Sequence, residues 1–397
     1  MRALAPTLSP LLQKVSRSFG LSIRLLPAAL REPVGVAYLL ARISDTVADS
    51  ASAPVAQRLA LLDQLAQCWP ATGPGGEAIE PSAHGTPGAS GAPNERGQAP
   101  SHTPSRTPPE AQSDIQSDIQ SDALSLALRE FATQVNDPHE RILLAQSQAC
   151  LQALARLRPQ DQRLIREVLS AITEGQRWDL TALDATGQGV RSEQDVERYT
   201  WWVAGSVGEF WTRLCEVHLQ HWHRARSADM LQWAAHYGQG LQRLNILRDA
   251  GRDLRAGRCY FPAEALAPLG LDAATLCAAA RSEDLATLSR LTPLLQAWHH
   301  QTEQDLHAGL RYSLALRGRR LRLASALPGL IGVRTLALLR QAGVQALVQH
   351  HKLPRRGLHR LLAALLLGGV SDRQLQASWQ SGLGSTAPSP LSARIGP

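Results

Sequence analysis

The sequence predicts an all-α bundle, and three observations carry that expectation. Leu, Ala and Arg dominate while aromatics make up only 5% of the chain. Val, Ile and Thr do not gather in alternating runs of the kind strands need. Apolar residues instead recur at three- and four-residue steps over most of the chain. With 397 residues there is enough chain to bury a substantial core. No strand–helix alternation appears, which excludes a layered α/β fold.

The elements follow in order. LREPVGVAYLLARISDTVADS (30–50) reads as a long helix with Pro33 in its first turn, where a missing N–H costs nothing. The pattern then breaks. Residues 71–122 hold fifteen Gly or Pro in fifty-two positions, carry a net charge of −5 and end in the repeat QSDIQSDIQSD. Such a segment has too little apolar content to join a core, so it reads as a disordered insert between helices of one domain spanning 1–70 and 123–378. Helices resume over 123–158 with a break at Asn136-Asp137-Pro138, and continue over 163–180, 195–219 and 230–254. Further helices are expected over 281–315, 331–349 and 357–368, with a disordered tail from 379 to 397.

Composition narrows the function classes. Five cysteines (Cys68, Cys150, Cys215, Cys259 and Cys277) are scattered and lack CxxC spacing. They read as buried thiols of a reducing cytosol, not a disulfide frame or a zinc site. The N-terminus lacks a basic region followed by a long apolar run, and no stretch of about eighteen uncharged apolar residues occurs. No secretory signal or spanning helix is expected, and the location expected is cytoplasmic with at most peripheral membrane contact. The net charge of +7 comes from dispersed arginines without a stripe of interleaved aromatics. That argues against nucleic acid and suits anionic lipid or diphosphate partners.

Two short stretches carry the chemistry. RISDTVAD places Asp45 and Asp49 on one helical face, and NILRDAGRD places Asp249 and Asp253 likewise. Near a helix C-terminus paired carboxylates are unfavourable, because the macrodipole already concentrates negative charge there. One such pair alone reads as a solvated acidic face. A second pair of identical spacing, again preceded by an arginine (Arg42, Arg248), changes the reading. Two pairs facing each other across a bundle form a set of hard oxygen donors suited to Mg²⁺ and substrate phosphate oxygens.

Three quoted segments resemble one family. SRSFGLSIRLLPAALREPVGVAYLLARISDTVAD (16–49), ERYTWWVAGSVGEF (197–210) and GQGLQRLNILRDAGRDLRAGRCYFP (238–262) are similar to successive motifs of squalene and phytoene synthases. The resemblance covers about residues 11–265, setting aside the insert, and continues weakly to about 356. It implies an isoprenoid-synthase-type helical bundle around a central cavity with aspartate-rich helices at its mouth. It also implies head-to-head joining of two allylic diphosphates, farnesyl diphosphate above all, through a cyclopropylcarbinyl diphosphate. In squalene synthases a reduction by NADPH follows. By this resemblance Asp45, Asp49, Asp249 and Asp253 bind Mg²⁺. Ser16, Arg17, Arg42, Gln242, Asn245, Arg248 and Arg258 hold diphosphate oxygens or support the metal, a task that suits bidentate arginine. Tyr38 and Tyr199 enter the active site, with Tyr199 handling a proton or steadying a cation. Phe19, Val203, Gly205 and Gly208 line the cavity. Taken singly, these residues also suit plain core or helix-packing roles.

The chain departs from the motifs at Ala48, Ser50 and Arg252, where further acids are usual, and at Thr200 and Gln176, which stand for Cys and Met. Trp178-Asp179-Leu180 is closer to the phytoene branch. No GxGxxG follows a strand, so no Rossmann site is expected. HHKLPRR (350–356) resembles the basic loop near the nicotinamide cofactor of squalene synthases, with Lys352 and Arg355 suited to its 2′-phosphate, and an ordinary basic loop is the competing reading. The histidine pairs 299–300 and 350–351 read as surface residues. The resemblance thus points to squalene synthase. Phytoene or dehydrosqualene synthase is the near rival, and a non-catalytic relative acting as an assembly protein is the rival of another class.

Overall fold

The computed structural model describes residues 8–15, 23, 26–69, 122–183, 189–349 and 355–384. Residues 71–121 of the expected insert, and the tail beyond 384, lie outside them. Among the described residues there are helices and no strands; one isolated antiparallel bridge joins His223 and Leu316.

The site is positioned by six helices. They are α1 (Ala28–Asp49), α2 (Val55–Cys68), α3 (Pro159–Ala182), α4 (Glu193–Thr200), α5 (Ser206–His218) and α6 (Ser227–Arg255). A π-helical turn, Trp201–Gly205, links α4 to α5. Behind them stand α7 (Thr292–Ala315), α8 (Arg319–Ala342), α9 (Arg355–Leu367) and α10 (Asp372–Leu383). Helix α1 packs on α3, and α5 packs on both α3 and α6. Helix α6 lies along α7, which is backed by α8 and, through it, by α10.

Local chemistry explains the boundaries. At Asn136-Asp137-Pro138 the helix Pro138–Ala145 starts with Asp137 accepting from the backbone N–H groups of His139 and Glu140. Such a cap satisfies donors that helix starts otherwise leave bare. Helix α4 opens with a reciprocal capping box between Ser192 and Asp195.

Several expected boundaries move. The single helix expected over 195–219 is interrupted by the π turn. The stretch 281–315 divides into Ala273–Ser282, Leu285–Ser289 and Thr292–Ala315, each of the first two started by an aspartate cap. Helix α8 begins at Arg319, twelve residues before the expected start, and runs through Pro328. The tail expected from 379 is ordered as far as Leu383, because Trp379 is buried against the body.

The core forms two apolar clusters, one around α1, α3 and α5, the other around α7, α8 and the C-terminal half of α6. Met230 and Ala234 of α6 belong to the first cluster and Leu244 to Leu254 to the second, so α6 spans both. The stretch Arg319–Leu347 is long and apolar enough to cross a membrane by composition, yet half of that window is buried inside the fold. It serves here as a core helix.

Candidate active site

Helix α6 presents Ala234, Gly238, Leu241 or Gln242, Asn245, Asp249 and Asp253 at three- and four-residue steps, so they share a face. Its N-terminal part is apolar and its C-terminal part is acidic. On α1 the corresponding end carries Arg42, Asp45 and Asp49.

On α1, Asp45 accepts a hydrogen bond from the Gln176 amide at 2.6 Å and lies 3.8 Å from Arg42. Arg42 is bound more tightly by Glu140 of a neighbouring helix. Solvent reaches 43% of the Asp45 side chain, and the rest is packed among protein atoms. Burial there and the charge of Asp49 push it up to about 6. Burial also raises Asp49, against the pull of Arg42. Tyr38, one turn before Arg42, bonds the Val15 carbonyl at 3.4 Å and lends its electrostatic influence to Arg42.

On α6, Asp249 is bound by Arg248 at 2.7 Å and approached by Arg252 at 3.5 Å. Arg252 also lies 3.6 Å from Asp253, whose pKa burial raises. The arginine at the unusual motif position thus sits between the two carboxylates. Asn245 donates to Gln242 at 3.3 Å, and Gln242 bonds Tyr199.

Between the two pairs lies a network in which Asp179, Tyr260 and Arg58 are members that the motif reading left without a role. Asp179 accepts from Arg258 at 2.5 Å and from the Tyr260 hydroxyl at 2.5 Å. Burial works against the Arg258 charge, but Asp179 and Tyr260 hold it, and its pKa stands above the usual arginine value. Asp179 and Arg258 lie within charge range of both Asp49 and Asp253, so the two pairs face a common centre. Tyr199 stacks on Tyr260 at 5.7 Å between centroids and on Trp178 at 5.1 Å. Burial, then the charge of Asp179, drives its phenol far above the ordinary range. Arg58 of α2 joins the same centre: it donates to the Ala48 carbonyl at 2.7 Å and lies within charge range of Arg258, Asp49 and Asp179. The Nε atoms of Arg42, Arg58 and Arg258, and Oε1 of Gln176, are buried with no protein partner.

An apolar cavity of about 280 Å³ lies along the N-terminal half of α6, lined by Val34, Val203, Gly208, Trp211, Tyr237 and Leu241 among others. Its walls meet because α5 and α6 approach at glycines. A Cβ on Gly208 would stand 2.1 Å from the Ala234 carbonyl oxygen, and one on Gly238 2.2 Å from that of Ala204. Gly205 does not line the cavity as expected; it packs on Trp201 and Gln239 and serves the helix crossing.

The donor set fits Mg²⁺. That ion is held through one or two carboxylates and otherwise by water and substrate phosphate oxygens. The donors here are hard oxygens alone, and Asp45 is raised by burial first and by the charge of Asp49 second. Among the described residues no three His, Cys, Asp or Glu side chains close on one point. Asp45 with Asp49 and Asp249 with Asp253 thus stand as two open pairs around the Asp179–Arg258 centre.

The assignments at Ser16, Arg17, Phe19 and Lys352, and the side chain of Arg355, lie outside the described residues. His299, expected at the surface, is buried on α7, and its pKa falls to about 4 through burial and the charge of Arg340. Asp179, Tyr260, Glu140 and Arg58 are the residues that motif reading missed. Asp179 alone had a sequence signal, standing one turn beyond Gln176 toward the end of its helix.

The squalene/phytoene synthase family model matches residues 12–92 and 110–362. Similar curated proteins include phytoene synthase of Rhodobacter capsulatus (35% identical over 107 residues, 27% of this chain and 28% of the relative). Squalene synthase ERG9 of Candida albicans is 30% identical over 148 residues, 34% of this chain and 33% of the relative. The chain thus aligns with only about a third or less of these relatives' length. Among solved structures, TcSQS with the ligand BPH1237 superposes with a TM-score of 0.65 at 21% identity, covering 95% of this chain and 89% of that one. A dehydrosqualene synthase superposes at 0.51 and 19%, covering 91% and 95%. Both show the fold, and the family model, matched over most of the length, shows the rest: the chain belongs to the squalene/phytoene synthase family.

Proposed function

We propose that this protein is a Mg²⁺-dependent prenyl transferase that joins two farnesyl diphosphates head to head and, with NADPH, reduces the product to squalene. The observation that carries the transferase reading is the single face of α6, which passes from an apolar cavity wall at Gly238 to paired carboxylates at Asp249 and Asp253. An amphiphile with a hydrocarbon chain and a diphosphate head matches that change of character.

Asp45, Asp49, Asp249 and Asp253 would hold Mg²⁺, which supplies positive charge to a departing pyrophosphate. Arg42, Arg58, Arg248 and Arg258 surround the same centre and orient phosphate oxygens. Tyr199 keeps its proton, so it serves as a hydrogen-bond donor and not as a phenolate base. With Trp178 it also offers a π face beside which an allylic cation is steadied. The apolar cavity would receive the hydrocarbon chain.

A second reading, phytoene or dehydrosqualene synthesis, is favoured by Trp178-Asp179-Leu180 and by the mixture of names among the relatives. The products formed from farnesyl and geranylgeranyl diphosphates with Mg²⁺, with and without NADPH, decide the matter. Squalene that appears only with NADPH supports the first reading. A C30 or C40 product indifferent to NADPH moves the assignment to the second, and no pyrophosphate release from either diphosphate removes both.

A further inference from the structure

One wall of the apolar cavity includes an aromatic ring seated against two glycines. Tyr237 of α6 lines the cavity. Behind it stand Gly309 of α7 and Gly329 of α8. A Cβ on Gly309 would lie 2.2 Å from the Tyr237 ring, and one on Gly329 3.0 Å from its hydroxyl. The hydroxyl donates to the Ser325 carbonyl at 2.8 Å, which fixes how far the ring enters. Two helices have thus given up side-chain volume at one level to accept one aromatic ring. Removing the ring leaves a hollow that glycines have no atoms to fill.

We propose that Tyr237 sets the depth of the cavity and thereby the longest prenyl chain the enzyme accepts, excluding a C20 diphosphate in favour of a C15 one. The inference rests on the prenyl-transferase reading and adds the residue that sizes its substrate. Along α6, about 18 Å of helix rise separates Tyr237 from Asp249, so the ring acts at the chain's far part and not at the diphosphate. Truncation to alanine removes roughly seven heavy atoms, more than the five carbons of one isoprene unit, and neighbouring groups relax only partly into such a void. The hydroxyl positions the ring, but the ring supplies the obstruction. Tyr237→Phe therefore keeps the discrimination that Tyr237→Leu and Tyr237→Ala lose.

The experiment measures pyrophosphate release at saturating Mg²⁺ with farnesyl and geranylgeranyl diphosphates as separate substrates, and takes the ratio of the two kcat/KM values. Wild type and Tyr237→Phe are expected to favour the C15 substrate by tenfold or more, in line with the selectivity that hydrocarbon size gives in an apolar pocket. Tyr237→Leu, and Tyr237→Ala where it folds by circular dichroism, are expected to shift the ratio at least tenfold toward C20. An unchanged ratio in folded Tyr237→Leu overturns the assignment while leaving the transferase reading intact, and so does a wild type that already prefers C20. Absence of pyrophosphate release from both substrates in wild type removes the transferase reading, and this inference with it.

Discussion

The two ends of α6 are made of the same helix and face the same way, yet they are stabilised by opposite means. At the cavity end, Gly208 and Gly238 bring backbones close, apolar side chains fill the remaining space, and the polar groups of Tyr237 and Tyr312 are bonded inside the protein. At the acidic end, Arg252 lies between Asp249 and Asp253, and burial lifts Asp253 above its ordinary value, as it does Asp45 and Asp49 on α1. One end is built for packing and the other holds charge at a cost to stability. Substitutions should therefore lower stability at the first end and raise it at the second.

The largest effect expected is on turnover. Asp45→Asn or Asp249→Asn should cut the rate of pyrophosphate release by at least a hundredfold at saturating Mg²⁺, since each removes charge from a centre that must offset a leaving pyrophosphate. Near-wild-type rates in both would end the chelation reading. The metal-free stability should move the other way. Asp45 titrates at about 6 in the fold against 3.8 ordinarily, so its favourable contribution is complete below pH 3.8 and lost as pH rises through 6. Metal-free Asp45→Asn should melt above wild type at pH 7.5, with the gap closing between pH 6 and 4. A lower melting temperature at pH 7.5 would contradict the comparison.

Next in size comes a buried pair beside the polar stripe. Arg243 of α6 is bonded to Asp305 of α7, both side chains being almost wholly buried, with Gln301 donating to the same carboxylate at 3.1 Å. Asp305→Ala strands the guanidinium and should cost about 3–5 kcal/mol in urea unfolding; a loss under 1 kcal/mol would show that water reaches Arg243. At the cavity end, Gly238→Ala drives a methyl into the Ala204 carbonyl. It should cost about 1–3 kcal/mol, the usual range for overpacking, whereas an unchanged midpoint would mean that α5 and α6 separate freely.

Smaller still is Arg58→Gln, which keeps a donor for the Ala48 carbonyl and removes the charge near Asp49 and Asp179. Titration calorimetry with pyrophosphate and Mg²⁺ should show several-fold weaker binding at unaltered melting temperature. Equal affinity would reduce Arg58 to a helix cap. The last effect is a mirror of Asp45. His299 is held near pKa 4, below its usual 6.5, so it contributes stability above pH 6.5 that is lost as pH falls toward 4. His299→Gln should flatten the decline in melting temperature over that interval, and an unchanged slope would place the acid sensitivity elsewhere.

The contrast between the ends also explains what was legible in the sequence. The acidic face of α6 was readable because four-residue spacing is a property of one helix, and Asp249 and Asp253 need no partner to be noticed. The capped break at Asp137-Pro138 was readable for the same reason. What joins different helices was not. Arg58, Glu140 and Tyr260 reach the site from three separate segments, and no spacing rule links them to Asp179. His299 was misjudged because its burial depends on how α7 and α8 pack, which leaves no mark on a local pattern. Gly205 was assigned to the cavity wall on resemblance, yet on the π turn it packs against Trp201 and Gln239 instead.

That π turn, Trp201–Gly205, constrains how this stretch can change in length over evolution. It places one extra residue in a helical run that otherwise extends from Glu193 to His218. The wider turn absorbs that residue with little net rotation, whereas a further codon added to the run and wound regularly would turn everything on one side by about 100° relative to the other. Tyr199 would then leave Trp178 and Tyr260, or Gly208 would leave the Ala234 carbonyl, and neither loss has a local remedy. Further insertions should therefore be purged here far more strictly than after α2, where more than fifty residues separate its end at Cys68 from the next described helix.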